Sequence, residues 1–335
     1  MVRVLIAGLA AMVVSIVAGP KFIAFLRRNE IGEHIREEGP EGHAVKQGTP
    51  TMGGLLILLT ATVAFAIVSK YKVPALTVLF VTLGCGAIGF LDDFIKLTHR
   101  RSLGLSGRWK MLLLALITVG VAFAARHQHL PTSVYVPGLG SLELSWAWYV
   151  LLFFVIAGAA NGVNLTDGLD GLAAGTGIIA LFTFTAMNVI AWIRSGPPGH
   201  RFETKLDLAI VGAALIGAVI GFLWYNAFPA EVFMGDTGSM AIGGALAAFA
   251  IMTQTIFLLL LIGGIFAIEA LSVIIQVFSF KYRGGRRPFL MAPIHHHFVM
   301  KAWSETKIMV RFWIVTGILC GAAFALYYSY FRGFR

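Results

Sequence analysis

Two adjacent carboxylates and an amine stand where an apolar stretch of the chain ends, at Asp92, Asp93 and Lys96. If the apolar helix continues through them, Lys96 lies one turn from both acids. An ordinary ion pair at that spacing explains one carboxylate but not two. Adjacent acids at a membrane boundary repel each other unless a cation neutralises them. The pattern therefore indicates chemistry on a charged, lipid-soluble substrate.

A second polar segment carries a side-chain amide or carboxylate at every third position, at Asn161, Asn164, Asp167 and Asp170, with glycines between them. A turn with local hydrogen bonds and a helix N-cap at Asp170 needs only one such residue. Four of them suit recognition of nucleotide hydroxyls and base edges, or of a metal.

Asp236 lies between two glycines, immediately before an apolar stretch. Asp236 or Ser239 could simply cap the helix that follows. The alternative is that Asp236 is a ligand of Mg²⁺, which prefers hard oxygen donors and retains water and phosphate oxygens. Nearby Phe233 could stack on a nucleobase.

Three consecutive histidines, His295, His296 and His297, occur inside the chain rather than at a terminus. Consecutive histidines rarely all face one ion, and no partner stands at zinc spacing. Mg²⁺ also disfavours imidazole. We predict that the histidines donate to phosphate or other substrate oxygens.

Lys46 and Glu269 each allow two interpretations. Lys46 precedes a turn rich in Gly, Thr and Pro, so it could bind an anion at a helix start or anchor the chain at the membrane surface. Glu269 stands alone in an apolar stretch, where it is either functional or a polar contact between helices.

The elements that must position these residues are membrane helices. Of 335 residues, 58% are hydrophobic and only 13% are charged, with a mean hydropathy of +0.83. Apolar runs long enough to cross a bilayer predict an all-α integral membrane protein with about ten spans. The predicted spans are 2–20, 52–69, 75–91, 109–125, 147–163, 172–193, 208–224, 241–253, 256–280 and 311–331. The 241–280 stretch is too long for one span and is divided at Thr253–Thr255, and Gly263 and Gly264 allow a bend in the span that follows. Residues 131–145 predict a short β-hairpin.

Charge predicts the orientation of this single membrane domain, 1–335. Five connecting segments, 27–50, 92–110, 164–171, 225–240 and 281–311, together carry 16 Lys and Arg against 9 on the other side. The positive-inside rule makes these five segments cytoplasmic, so both termini and the hairpin face the periplasm. The net charge of +10 fits this topology and anionic lipid, not nucleic acid.

Taken together, the motifs resemble those of the polyprenyl-phosphate N-acetylhexosamine-1-phosphate transferase superfamily, and within it the phospho-N-acetylmuramoyl-pentapeptide transferase family. The matching stretches are 46–54, 92–96, 161–171, 226–239 and 291–298. The string from Met291 to Phe298 is the most specific. Members usually carry an acid after this string, whereas this chain has Val299.

The resemblance implies ten transmembrane helices, a homodimer in the bacterial cytoplasmic membrane and an active site facing the cytoplasm. It implies Mg²⁺-dependent transfer of phospho-MurNAc-pentapeptide from UDP-MurNAc-pentapeptide to undecaprenyl phosphate, giving lipid I and UMP. By matching position, Asp92, Asp93 and Asp236 are the catalytic acids, and Asp236 is the Mg²⁺ ligand. The implied nucleotide-side pocket comprises Lys46, Asn164, Asp167, Asp170, Asn226, Phe233, His295 and His296.

In such a reaction two phosphate anions repel each other, and we expect Lys46 and Lys96 to neutralise that repulsion. Asp92 would be the base and Asp93 its electrostatic support, although a covalent two-step route stays open. Two other functions remain as alternatives. One is a GlcNAc-1-phosphate transferase of the same superfamily, and the other is a membrane transporter, whose sites favour the bilayer midplane.

Overall fold

The computed structural model describes residues 1–29, 31–32, 48–99 and 103–330. Within them the chain is mostly helical, with one pair of short strands. The helices are α1 Val2–Arg28, α2 Gly54–Val68, α3 Val73–Thr98, α4 Gly107–His127, α5 Ala147–Thr166, α6 Leu172–Arg194, α7 Glu203–Asn226, α8 Gly235–Met252, α9 Ile256–Ile262, α10 Gly264–Tyr282, α11 Ile294–Val299 and α12 Glu305–Tyr330. The strands are β1 Ser133–Val136 and β2 Gly140–Glu143.

Nine of the described helices are long and apolar enough to cross a membrane, which confirms the all-α membrane class, while the count of about ten spans stays a prediction. The difference lies at Gly54–Val68, an apolar helix of only 15 residues. At 1.5 Å per residue it is about 22 Å long, shorter than the roughly 30 Å hydrocarbon layer.

The long apolar stretch after α8 is divided twice. Thr253–Thr255 separates α8 from α9, as the sequence predicts. The segment expected as one span, 256–280, is broken again at Gly263, whose amide donates to the Leu259 carbonyl at 2.7 Å before α10 begins. Glycine supports such a break because it loses little by leaving helical geometry.

The centre of the bundle is formed by α7 and α8, the two most deeply buried spans. Glycines allow their neighbours to approach closely. A Cβ at Gly89 of α3 would lie 2.1 Å from the Asp236 carbonyl oxygen, and a Cβ at Gly54 would lie 2.1 Å from the Gly238 nitrogen. Membrane helices pack through such small residues because lipid provides no hydrophobic force to press them together.

A smaller apolar cluster joins the connection between α5 and α6 to the C-terminal part of the chain. Leu169 and Leu172 pack there with Ile308 and Phe312, and Val299 packs against them. The residue at 299, which departs from the family pattern, is therefore part of an apolar contact.

The strands β1 and β2 pair antiparallel, with Val134 opposite Leu142, between α4 and α5. The connection between α3 and α4 precedes α4 and the hairpin follows it, so the two lie at opposite ends of that 21-residue helix. The side of the membrane on which each end lies stays a prediction.

Candidate active site

Three carboxylates and two ammonium groups from three helices form one buried cluster. Lys96 Nζ lies 2.7 Å from Asp92 Oδ2 and 3.2 Å from Asp236 Oδ1. Lys110 Nζ lies 2.9 Å from Asp92 Oδ1 and 3.0 Å from Asp236 Oδ2. Each lysine therefore bridges the same two acids. The cluster therefore joins three carboxylates and two ammonium groups, whereas the simple alternative was one ion pair within a single helix.

The helix α3 continues through Thr98. Asp92, Asp93 and Lys96 therefore lie on one helix, with Lys96 one turn from both acids, as expected from the sequence if the apolar helix continued. Asp92 and Asp93 are buried. Asp236 is the most accessible acid, with 14% of its side chain exposed against 2% for Asp92. A ligand that enters the cluster therefore reaches Asp236 before the other carboxylates.

Asp93 caps the first turn of α8 from a neighbouring helix. Its carboxylate accepts hydrogen bonds from the Asp236 amide at 3.2 Å, the Thr237 amide at 3.0 Å and the Thr237 hydroxyl at 2.7 Å. Because α8 begins at Gly235, the Asp236 side chain does not cap it, and no side chain of the flanking Met234 does so either. Asp93 supplies the missing acceptor, so the Asp236 carboxylate is left to face the lysines.

The segment before α4 closes over Asp92. The Leu105 amide donates to Asp92 Oδ1 at 2.7 Å, and a Cβ at Gly104 would lie 2.4 Å from Asp92 Cγ. Asp92 Oδ2 is buried and receives no aligned hydrogen bond among the described residues, although Lys96 Nζ is 2.7 Å away. One oxygen of Asp92 is thus held by a backbone amide, whereas the other accepts no aligned hydrogen bond from the described residues.

Asp170 and Asn226 hold two connections against each other. Asp170 Oδ2 accepts from the Ala230 amide at 3.0 Å, and Asn226 Oδ1 accepts from the Gly171 amide at 3.1 Å. Asn226 Nδ2 also donates to the Val232 carbonyl at 2.9 Å. The structure thus uses both side chains for backbone contacts, a role that spacing alone did not reveal.

The same connection then reaches the segment before α2. The Phe233 amide donates to the Pro50 carbonyl at 2.7 Å, and the Gly53 amide donates to the Phe233 carbonyl at 2.9 Å. The Phe233 side chain is half-buried. Lys46 lies outside the described residues, so its predicted role stays a prediction.

The histidines occupy α11, and each has a different environment. His295 is buried, and its Nδ1 lies 3.1 Å from Glu269 Oε1 on α10. His296 is half-buried, with its ring centroid 4.1 Å from that of His295. A Cβ at Gly168 would lie 2.3 Å from His295 Nε2, so this histidine is in direct contact with the connection that carries Asp167 and Asp170.

His297 has a structural contact, because its Nδ1 accepts a hydrogen bond from the Leu290 amide at 3.1 Å. Partial burial, and then the nearby Lys301 charge, hold the pKa of His297 below its ordinary value. A ring that accepts at Nδ1 must be neutral, which agrees with this direction. Only its Nε2 then remains to donate to a substrate.

Among the described residues, a chain of contacts therefore joins the predicted histidines to the acid cluster. His295 contacts the loop of Asp167 and Asp170, that loop bonds to the 226–234 connection, and this connection leads into α8 and the acid cluster. Asn164, in the last turn of α5, and Asp167 after it are half-buried beside this path. The transporter alternative requires a midplane site, whereas these groups meet at the helix ends.

Sequence reasoning missed Lys110 as a site residue and missed the pairing of Glu269 with His295. In the sequence, Lys110 is one of the positive charges of segment 92–110. The signal that could have found it is its place in the same segment as Asp92, in the first turn of the next helix. The partners Glu269 and His295 are 26 positions apart, and no local spacing rule joins them.

The donor set fits a hard divalent cation. Oxygens of Asp92, Asp93 and Asp236 converge within 4.8 Å of one another. Carboxylate oxygens are the ligands that Mg²⁺ prefers. Asp93 already accepts three hydrogen bonds, so Asp92 and Asp236 are the better donors. The two lysines compete for the same oxygens.

A bundle of apolar helices with a buried cluster of acids and lysines is the arrangement expected of a membrane-embedded enzyme, and comparison with known proteins gives its class as a transferase. The family model described as glycosyl transferase family 4 matches residues 75–254, and a phospho-N-acetylmuramoyl-pentapeptide-transferase signature matches residues 46–58.

Similar proteins of known name identify one family within this class. Proteins named phospho-N-acetylmuramoyl-pentapeptide-transferase from Rubrobacter xylanophilus and Geobacillus thermodenitrificans are 47% and 48% identical, covering 98% and 93% of this chain and 98% and 94% of their own. One from Bacillus subtilis is 46% identical over 91% of this chain and 92% of its own. The chain belongs to the phospho-N-acetylmuramoyl-pentapeptide-transferase family. It is a multi-pass membrane phospho-sugar transferase of peptidoglycan synthesis, which confirms the predicted family and decides against a transporter.

Proposed function

We propose that the protein transfers phospho-MurNAc-pentapeptide from UDP-MurNAc-pentapeptide to undecaprenyl phosphate in a Mg²⁺-dependent reaction, giving lipid I and UMP. The active site faces the cytoplasm of a bacterial cell, where the nucleotide sugar is made. The observation that carries this proposal is the cluster in which Lys96 and Lys110 each bridge Asp92 and Asp236.

The reaction exchanges one phosphoryl ester for another, so its main obstacle is charge. An anionic lipid phosphate must approach an anionic diphosphate. Lys96 and Lys110 provide two fixed positive charges in a largely buried site, where charge stabilisation is stronger than in water. When bound by Asp236 and Asp92, Mg²⁺ supplies further neutralisation of the diphosphate.

Asp92 is the proposed base, supported by its buried Oδ2 that no aligned hydrogen bond satisfies. Only a weak base is required, because a phosphate monoester loses its second proton near a pKa of about 6 and is mostly ionised at neutral pH. Asp93 acts by holding the first turn of α8 and thereby Asp236, rather than by touching the substrate.

The nucleotide sugar is assigned to the surface beside this cluster. Asn164, Asp167 and Phe233 are half-buried there, and the imidazoles of α11 lie next to them. Asp170 and Asn226 support that surface by joining its two connections. Lys46 retains its predicted role at the entrance to α2.

The lipid tail is assigned to an apolar groove along α10. A cavity of about 370 Å³ is lined by Val273, Val277, Phe280 and Leu290, with Lys281 and Arg287 also at its wall. Apolar walls suit a polyprenyl chain, and two cations suit its phosphate group. The predicted bend at Gly263 lies on the same apolar stretch.

The test is release of UMP by the purified protein in the presence of Mg²⁺ and undecaprenyl phosphate. We expect release from UDP-MurNAc-pentapeptide and none above background from UDP-GlcNAc. Equal or faster release from UDP-GlcNAc would instead support the GlcNAc-1-phosphate transferase alternative. Exchange of labelled UMP into the nucleotide sugar without lipid acceptor would favour the covalent two-step route over direct transfer.

A further inference from the structure

Glu269 and His295 form an ion-pair geometry in the interior of the protein, away from the acid cluster. His295 Nδ1 and Glu269 Oε1 are 3.1 Å apart, and the two side chains are 1% and 0% exposed. Burying such a pair costs more than burying apolar side chains of the same volume, so it is weak evidence for stability alone. An ionisable residue inside a membrane helix is by default a candidate for function.

The pair is incompletely satisfied, and its open positions are specific. His295 Nε2 and Glu269 Oε2 are buried and have no hydrogen-bond partner among the described residues. The buried acid Asp207 provides a contrast, because Ser69 and the amides of Lys70 and Lys72 satisfy both its oxygens. Both oxygens of Asp207 therefore accept hydrogen bonds. In the Glu269 and His295 pair, only the two atoms that face each other, Oε1 and Nδ1, have a partner within the described part of the chain.

The unpaired Nε2 of His295 lies against the connection between α5 and α6, which carries Asp167 and Asp170. A Cβ at Gly168 would lie 2.3 Å from Nε2, so glycine is what allows the ring to reach this connection. A carboxylate on Nδ1 fixes both the ring orientation and the position of its proton. Nε2 is then the one ring atom left for a ligand.

We propose that Glu269 is a positioning residue, which holds His295 Nδ1 so that Nε2 is presented across Gly168 to an oxygen of the bound nucleotide sugar. This inference rests on the proposed function. It gives Glu269 a role in substrate binding without contact between its own side chain and the substrate. It also accounts for the unpaired Nε2 of an otherwise buried histidine.

The test is a double-mutant cycle between the two residues. Glu269→Leu should lower kcat/KM for the nucleotide sugar by about 10-fold or more, as expected when the carboxylate that orients a functional histidine is lost. Glu269→Gln retains an acceptor oxygen and should be milder. In a His295→Ala background, Glu269→Leu should have little further effect, because the ring it positions is gone. The KM for undecaprenyl phosphate should stay unchanged.

A matched control is Ser272→Ala on the same helix. Ser272 is buried and donates to the Glu269 backbone carbonyl at 2.7 Å, so this variant disturbs the helix but not the carboxylate. It should retain wild-type kcat/KM. Equal losses from Glu269→Leu in the wild-type and His295→Ala backgrounds would overturn the inference, because they would show that Glu269 acts independently of the histidine.

A second variant covers the case in which Glu269→Leu does not fold. Gly168→Ala places a methyl group against Nε2 and leaves Glu269 intact. It should raise the KM for the nucleotide sugar and have little further effect in the His295→Ala background. Wild-type KM in Gly168→Ala would overturn the inference. A wild-type protein that released no UMP would instead end the proposed function, so the two failures are distinguishable.

Discussion

At the scale of single residues, the charge balance of the cluster determines the chemistry available. Two lysines bridge two acids, and a third acid is committed to the first turn of α8. The result is a site with fixed positive charge and with carboxylate oxygens that can bind a cation. Both features are required to bring two phosphate anions together.

Lys110 provides the first prediction. Lys110→Met keeps the length of the side chain and removes its charge, so it should lower kcat for UMP release by about 100-fold, a typical loss when one preorganised electrostatic group is removed. Lys72→Met is the matched control, since this exposed lysine lies in the connection between α2 and α3 and should retain wild-type turnover. Similar turnover in the two variants would show that Lys110 has no part in the reaction.

Residue types in the sequence predict Asp92, Lys96, Asp236 and the histidines as site residues. The structure brings the first three into contact, and the functional roles of all of them stay predictions. The contacts of Asp170 and Asn226 were not predictable, since a carboxylate or amide in a glycine-rich segment can equally bind a ligand or a backbone amide. Only the tertiary placement of Ala230 and Gly171 shows which backbone groups they meet.

At the scale of the elements, the site depends on how closely α3 and α8 approach. Gly89 lies against the backbone of Asp236, and Asp93, one turn further along α3, caps the same turn of α8. The acids are therefore fixed by helix packing rather than by loop conformation.

This packing gives the second prediction. Gly89→Ala forces a methyl group against a backbone carbonyl and should destabilise the protein by about 1–3 kcal/mol, as overpacking does. It should also reduce turnover, because the helix that carries Asp236 is displaced. Thermal unfolding in detergent and UMP release measure the two effects.

Gly158→Ala on α5 is the control, because a Cβ there meets no atom within 4 Å. Alanine in a helix interior is more favourable than glycine by up to about 1 kcal/mol, so this variant should keep or raise the melting temperature. A Gly89→Ala protein as stable and active as Gly158→Ala would contradict the packing argument.

Hydropathy was a good guide to the long helices and a poor one to their ends. The helices α3 and α8 extend into what the apolar pattern marked as loops, because Asp92, Asp93 and Asp236 are paired and capped inside the helices. The break at Gly263 was predicted only as a bend, since a pair of glycines does not by itself reveal which backbone bonds are lost.

At the scale of the whole molecule, the orientation in the membrane follows from charge and awaits measurement. The native cysteines, Cys85 and Cys320, are both buried, so an introduced cysteine can be labelled selectively. We predict that Leu139→Cys, in the turn between β1 and β2, reacts with a membrane-impermeant maleimide in intact cells. Lys301→Cys, after α11, should react only after the membrane is permeabilised. The reverse labelling pattern would show that the protein has the opposite orientation in the membrane. The predicted homodimer can be examined in the same preparation by crosslinking.

The most direct test of the account is the effect of Mg²⁺ on Asp236→Asn and Asp92→Asn in the purified enzyme. Both variants should lose turnover, because each removes one of the two acids bridged by the lysines. Binding of UDP-MurNAc-pentapeptide should lose its dependence on Mg²⁺ only in Asp236→Asn, the variant of the more accessible carboxylate. Turnover retained in both variants, with Mg²⁺-dependent binding unchanged in Asp236→Asn, would contradict the proposal that this cluster is the catalytic metal site.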